Sequence, residues 1–353
     1  MRKASKQDRA AMTPQQRGVA LIMVILMIAI SSAILVALTD STYVAMRLNS
    51  AAEQRVKAEY ILKSAVNVAQ TLIKNDNNDF DDPSTDLWLK FSDGMEIPGD
   101  LLGLQEANVR VSLLISSEGR KIPLMQLKPS SSTQAPTKWV EITARLFENL
   151  GFDQPSQPTQ GSNKAPSKEF SSKELVANII DYLDTDEDSA NVPNFAQGME
   201  GDLPKGQEFR NDNRIDSLAS ELSAIPGFTS DKIQRLLPFV SARSFSKINI
   251  NAAPPEVIKA LDVDLNDAAA EGIIQFRNPA GGGPFTANDL SAKLIDIVGG
   301  PVGQRLASLV QAEGNFFEII AKVEYGTATF LASATLKKTG NGRMPKILSL
   351  QIY

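Results

Sequence analysis

The chain has 353 residues, a net charge of −5, no cysteine and no histidine. These absences exclude a disulfide framework, a thiolate or imidazole metal site, a Cys nucleophile and a Ser-His-Asp triad. The acidic balance disfavours nucleic acid as a bulk partner, and the 42% hydrophobic content is enough for a sizeable folded core.

The N-terminus opens with Arg2, Lys3, Lys6, Arg9 and Arg17 against the single acid Asp8. Residues 18–39 then carry no charge, and only Ser31, Ser32 and Thr39 interrupt their apolar character. A helix of that length spans about 30 Å, the thickness of a bilayer core. The basic flank is expected to stay cytoplasmic, with the rest of the chain outside. A secretory signal peptide is cut after its apolar stretch, whereas here the lone Gly18 after Arg17 stands before it. Cutting between Gly18 and Val19 removes a leader, residues 1–18, and keeps the helix. The remaining chain holds 31 basic and 40 acidic residues, a charge near −9.

Apolar residues continue at three- and four-residue intervals through Ala58, Ile61, Leu62, Ala65, Val68, Ala69, Leu72 and Ile73. This is an amphipathic helix. No Pro or Gly occurs over 19–74, so one helix of about 84 Å is expected there. A membrane helix followed by a separate core helix, with a break near Asp40, fits the same pattern. The Asn- and Asp-rich stretch 75–82 ends it.

Residues 108–116 alternate as a strand, 117–120 read as a turn, and 121–127 as a second extended segment. Two Pro- and Ser-rich loops, 128–138 and 154–167, flank a helix over 139–150. Short helices follow at 172–183, 217–224, 231–240, 255–261, 266–277, 287–294 and 302–311. The last section turns β-rich over 317–325, 328–337 and 346–353, with turns at Gly326 and at Gly340-Asn341-Gly342. The expected fold class is α+β. A sheet body, 75–127 and 313–353, follows the long N-terminal helix and is interrupted by a large inserted helical domain, 128–312.

Three stretches are candidates for chemistry. Asp181, Asp184, Asp186, Glu187 and Asp188 place five carboxylates within eight residues. That density calls for solvation or a shared cation, and calcium, which takes six to eight oxygens, suits it. The stretch is no EF-hand loop, because Ser189 replaces the glycine and Phe195 the bidentate Glu. Glu200 and Asp202 lie close enough in sequence to complete an irregular site. A solvated acidic helix end is the other reading. Secondly, 225–237 and 246–261 resemble helix-hairpin-helix units, which bind DNA through hairpin amides. Here Thr229 replaces the second glycine of one hairpin, and the other, 261–264, carries Asp262 and Asp264, which favours packing over DNA. Thirdly, Gly281-Gly282-Gly283 lacks the Lys-Ser/Thr of a phosphate loop and reads as a turn.

The junction Arg17-Gly18-Val19-Ala20-Leu21-Ile22 resembles the class III signal of type IV pilins and pseudopilins. The resemblance implies cleavage by a prepilin peptidase on the cytoplasmic face, often with N-methylation of Val19. One position departs: most of the family has Glu as the fifth mature residue, where this chain has Met23. That Glu is thought to neutralise a neighbouring subunit's N-terminal amine, so its absence fits a subunit at a filament end.

With the motifs Asp181-Tyr182-Leu183-Asp184-Thr185-Asp186 and Ile248-Asn249-Ile250-Asn251-Ala252-Ala253-Pro254-Pro255-Glu256-Val257, the chain resembles the type II secretion minor pseudopilin K family. The family usually has Trp where Tyr182 stands, and its Gly-Ala-Glu-Asp region is matched loosely by 198–202. The resemblance implies a non-enzymatic inner-membrane protein with its body in the periplasm, capping the pseudopilus tip beside other minor pseudopilins and helping initiate its assembly. It also implies calcium, for which Asp181, Asp184, Asp186, Asp188, Glu200 and Asp202 are the candidate ligands. A type IV pilus minor pilin and a DNA-binding membrane protein of competence type are the alternatives.

Overall fold

The computed structural model describes residues 14–103, 109–129, 137–154, 169–192, 195–203, 209, 215, 217–278 and 280–353. Helix α1 runs over Pro14–Lys74, so it passes Asp40 without a break, and Gly18 lies in helical backbone. The hydroxyls of Thr39, Thr42 and Thr71 each donate to the carbonyl four residues earlier, at Leu35, Leu38 and Asn67, so their polar groups do not oppose the helix. Asn75 and Asp76 end it.

The chain divides into two compact units, Met1–Tyr60 and Ile61–Tyr353. In the first, Leu21, Ile22, Met23, Ile25, Leu26 and Met27 are all exposed. Among the described residues one helix is long and apolar enough to cross a membrane. Lower in this unit the helix is polar, with a Lys57–Glu53 pair at 3.1 Å one turn apart.

The second unit holds the end of α1, whose Ile61, Leu62, Ala65, Val66, Ala69 and Ile73 are buried. Strand β1 (Met95–Ile97) and strand β2 (Val109–Ser117) follow. A two-residue strand β3 (Ile122–Pro123) leads into helices α2 (Thr137–Asn149) and α3 (Ser172–Leu183). Ser171 and Glu174 cap α3 reciprocally, each side chain accepting the other residue's backbone N–H. The hairpin of β4 (Asn191–Val192) and β5 (Ala196–Gln197) comes next, then α4 (Leu218–Ala224) and α5 (Ser230–Leu236). After β6 (Val240–Ser241) and β7 (Ile248–Asn249) stand α6 (Pro255–Leu261), α7 (Asp267–Arg277), α8 (Leu290–Val298) and α9 (Gly300–Ala307). Strand β8 (Val310–Gln311) and the long strands β9 (Phe316–Tyr325), β10 (Ala328–Lys337) and β11 (Lys346–Ile352) complete the chain.

The main sheet is antiparallel in the order β1-β2-β9-β10-β11. Its central pair, β2 and β9, joins the two flanks of the helical stretch, from Val109 opposite Tyr325 to Ser117 opposite Phe317. Alternation buries Val111, Leu113 and Ile115 on one strand and Phe317, Ile319, Ala321 and Val323 on the other. Each large side chain so covered contributes roughly 1.5–3 kcal/mol relative to exposure. Trp88 meets Phe317 edge-on at 5.0 Å between ring centroids. The helical stretch has its own core, built on Phe147, Leu175, Ile179, Leu236, Val257, Ile258 and Phe285.

Several expected elements end differently. Residues 121–127 do not form one extended segment: only Ile122–Pro123 is strand, paired in parallel with Val240 and Ser241, and 124–127 is a 3-10 turn. Helix α5 stops at Leu236: Leu237 caps it with helical backbone, its amide donating to Ile233, but Pro238 has no N–H to carry the ladder on, which leaves Val240 for that pairing. The helix expected over 302–311 stops at Ala307, and Val310 pairs in parallel with Ile248. The helix expected over 287–294 instead spans Leu290–Val298 and ends at Gly299, whose φ of 90° suits glycine. The loops 130–136 and 155–167 lie outside the described residues.

Candidate metal centre

Two groups of three carboxylates converge among the described residues, each with ligand oxygens within 4.8 Å of one another. One is Asp181, Asp184 and Glu200, three of the six positions expected from sequence. Asp181 sits in the last turn of α3 and Asp184 caps its end, the 184 amide donating to Ile180 at 2.9 Å. Glu200 arrives from beyond the β4–β5 hairpin, at the start of a 3-10 turn, Glu200–Asp202. Asp186 and Asp188 stand exposed outside the group, and Asp186 accepts the Asp188 amide at 3.1 Å. The side chain of Asp202 lies outside the described residues.

Backbone amides serve Asp181, but two oxygens of this group have no protein donor. The Oδ1 atom of Asp184 and the Oε2 atom of Glu200 are buried without a hydrogen-bond partner. Burial, with Asp186 and Asp181 adding like charge, pushes the Asp184 carboxyl up to about 7. Burial, reinforced by Asp184 and Asp181, pushes Glu200 up to about 8. Burial also raises Asp181, against the amides of Ala190 and Glu200 that favour its charged form. An oxygen-only set with unsatisfied buried oxygens fits a hard divalent cation, whose charge would replace the absent donors.

The second group, Asp76, Asp81 and Asp86, was not expected: its stretch reads in sequence only as a helix end. All three are buried. Here the protein supplies the donors. Lys338 Nζ lies 3.1 Å from Asp76 Oδ2 and 2.7 Å from Glu313 Oε1. Burial works against that ammonium, yet Glu313 and Asp76 together raise its pKa. Trp88 Nε1 donates to Asp76 at 3.3 Å, and Asn78 Nδ2 and the Asp82 amide donate to Asp86 at 3.1 and 2.7 Å. Asp81 accepts from Asn249 Nδ2 and, at 3.4 Å, from the Gly314 amide. Burial pushes its carboxyl up to about 8.

Asn249 ties the helical stretch to Asp81 and to Ser117 of β2, while Asn251 braces that stretch from within. Asn251 Nδ2 donates to Phe285 and Ala312 carbonyls, both at 2.8 Å, while its Oδ1 accepts the Phe285 amide at 2.9 Å. The hairpin between α6 and α7 is likewise engaged inward. Arg305 grips Asp262 at 2.6 and 2.8 Å and Asp264 at 2.6 Å. In the first hairpin, Thr229 caps α5 by accepting the Lys232 amide. The triple glycine forms a turn in which the Gly281 and Gly283 amides both donate to Asn278.

Comparison with known proteins gives concordant matches. Residues 248–296, which open on the Ile248-Asn249-Ile250-Asn251 stretch, match the family model described as type II secretion system (T2SS), protein K. A curated protein of Escherichia coli K12, named for type II secretion system protein K, is 24% identical over 250 residues. The match takes in 68% of this chain and 66% of that relative, just under two thirds of the relative's length. The fold is similar to a chain of the crystal structure of the GspK-GspI-GspJ complex from the enterotoxigenic E. coli type 2 secretion system. That superposition has a TM-score of 0.63 at 14% identity and covers 86% of this chain and 99% of the other. The likeness to protein K expected from the sequence is thus found in the family model, a curated relative and the fold.

Proposed function

We propose that the chain is a minor pseudopilin of the type II secretion system, of the protein K kind, that caps the pseudopilus tip and helps initiate its assembly. The observation that carries this reading is the long helical stretch set between two neighbouring strands of the sheet, behind a pilin-type N-terminus. In this reading a prepilin peptidase cuts between Gly18 and Val19, and Val19 becomes N-methylated. The apolar part of α1 is held in the inner membrane and then packs into the filament core, while Ile61–Tyr353 lies in the periplasm. Met23 carries no charge for a neighbour's amine, which suits the terminal subunit. The bulky helical stretch blocks a further subunit from adding above it. Other minor pseudopilins are the partners, as in the complex that contains the similar chain.

A calcium ion held at Asp181, Asp184 and Glu200 would neutralise the carboxylates and tie the end of α3 to the chain after the β4–β5 hairpin. The reading supplies no catalytic role; the protein acts by packing and assembly.

The mass of the mature N-terminus, taken from membranes of cells with a prepilin peptidase, tests the assignment. Cleavage after Gly18 is expected, and Gly18→Ala impairs it; an intact leader in the native chain overturns the pseudopilin reading. Deleting residues 139–312 is expected to let filaments elongate past the tip, and an unchanged filament length counts against capping.

A further inference from the structure

Within the candidate metal centre, we infer that the three carboxylates divide their work: Asp184 and Glu200 are the ligands, and Asp181 is a positioning residue that builds the site without holding the ion. The inference rests on the calcium reading above.

The acidic cluster gains its ligand-directed character from Glu200. That side chain is 7% exposed, its Oε2 is buried without a partner, and its carboxylate brings an oxygen within 4.8 Å of oxygens of Asp184 and Asp181. Asp184 Oδ1 is in the same condition. A buried carboxylate oxygen without a donor is costly, and a cation is the partner that its neighbours' charge selects.

Asp181 differs in kind. It is 1% exposed, and both its oxygens are engaged by backbone amides: Oδ1 accepts from Ala190 at 2.5 Å, and Oδ2 from Glu200 at 2.8 Å. The Met199 amide also acts on it. Its carboxylate therefore gathers the two ends of the β4–β5 hairpin. The Gly198 amide closes the same loop by donating to the Ala190 carbonyl at 2.9 Å. Gly198 is required there, since a Cβ would collide with the Asp181 carboxyl group. Ser189 adds a parallel tie, its hydroxyl accepting the Gly201 amide at 3.0 Å. One consequence is that the Glu200 backbone, fixed by its own amide on Asp181, delivers the Glu200 side chain to Asp184. Asp181 thus stands to the ion as an outer support stands to a ligand, and such supports affect affinity about 10- to 100-fold.

The test uses the full-length chain in detergent with Asp181→Ala, Asp184→Ala and Glu200→Ala variants. Thermal unfolding in a chelator reads the empty site. Terbium luminescence lifetimes in light and heavy water count the waters on a bound lanthanide used as the calcium probe. Loss of Asp184 or Glu200 is expected to add about one bound water at saturation. Neither is expected to lower the metal-free midpoint. Asp181→Ala is expected to lower that midpoint and weaken terbium about 10- to 100-fold. Once saturated, it keeps the wild-type water count. If Asp181→Ala does not fold, Asp181→Asn takes its place, with the same direction expected in both readouts. An added water in the saturated Asp181 variant, whatever its metal-free midpoint, would make Asp181 a ligand and overturn the division of labour, as would an unmoved midpoint with unchanged terbium affinity. Failure of the wild-type chain to bind terbium or calcium overturns the calcium reading itself, and shows before any variant is compared.

Discussion

The two carboxylate clusters each bring three acids with oxygens within 4.8 Å of one another, yet they are finished in opposite ways. Around Asp76, Asp81 and Asp86 the chain brings Lys338, Trp88, Asn78 and Asn249 as donors. Around Asp184 and Glu200 it leaves buried oxygens without one. The difference teaches that carboxylate density does not by itself mark a cation site. What marks it is whether the fold has already supplied the compensating charge and N–H groups.

Removing Lys338 is the most severe way to break this comparison. Lys338→Ala leaves Asp76 and Glu313 without their counter-charge and is expected to cost about 3–5 kcal/mol in chemical denaturation. Added calcium should restore little of that loss if the Asp76 cluster is closed to cations by its geometry. The Asp181, Asp184 and Glu200 cluster should behave in reverse. Calcium at about a hundredfold over its dissociation constant is expected to stabilise the native chain by about 2–3 kcal/mol, read as a rise in unfolding midpoint. Glu200→Gln should abolish most of that rise while leaving the metal-free midpoint in place.

A further effect is a pH dependence of stability, which the Asp81 variant isolates within its own cluster. Asp81 is raised in the folded protein from 3.8 to about 8. The native state therefore holds this proton where the unfolded chain has lost it. Its contribution to stability is full below about pH 4 and is lost as pH rises through about 8. Midpoints measured in a chelator across that window should decline with pH in the native chain and more shallowly in Asp81→Asn. Identical slopes in the two proteins would remove Asp81 as the source.

Much of the architecture was legible in the sequence because it rests on local pattern. The unbroken run without Gly or Pro over 19–74 gives α1, and strict alternation gives β2 and β9. What escaped is what depends on distant partners. Val240 and Val310 sit at the ends of helical spacing, and only the parallel neighbours Ile122 and Ile248 make them strands. The Asp76 cluster was hidden for the same reason: its cation comes from Lys338, 262 positions on in the chain. The Asp181 cluster was half legible. The acidic run drew attention to it, but spacing alone could not separate Asp181 and Asp184 from the exposed Asp186 and Asp188.

The pairing of Ser117 with Phe317 has a further consequence, for the order in which the protein is made. The central ladder joins strands separated by about 200 residues, so during synthesis β2 emerges long before the strand it must meet. Contacts of such high sequence separation are slow to form, because the loop must close before the ladder rewards it. Folding of the helical stretch first would bring the two ends together and shorten that search. The stretch would then serve as a built-in template for closing the sheet, and shortening or loosening it should slow the body's folding more than it lowers the body's final stability.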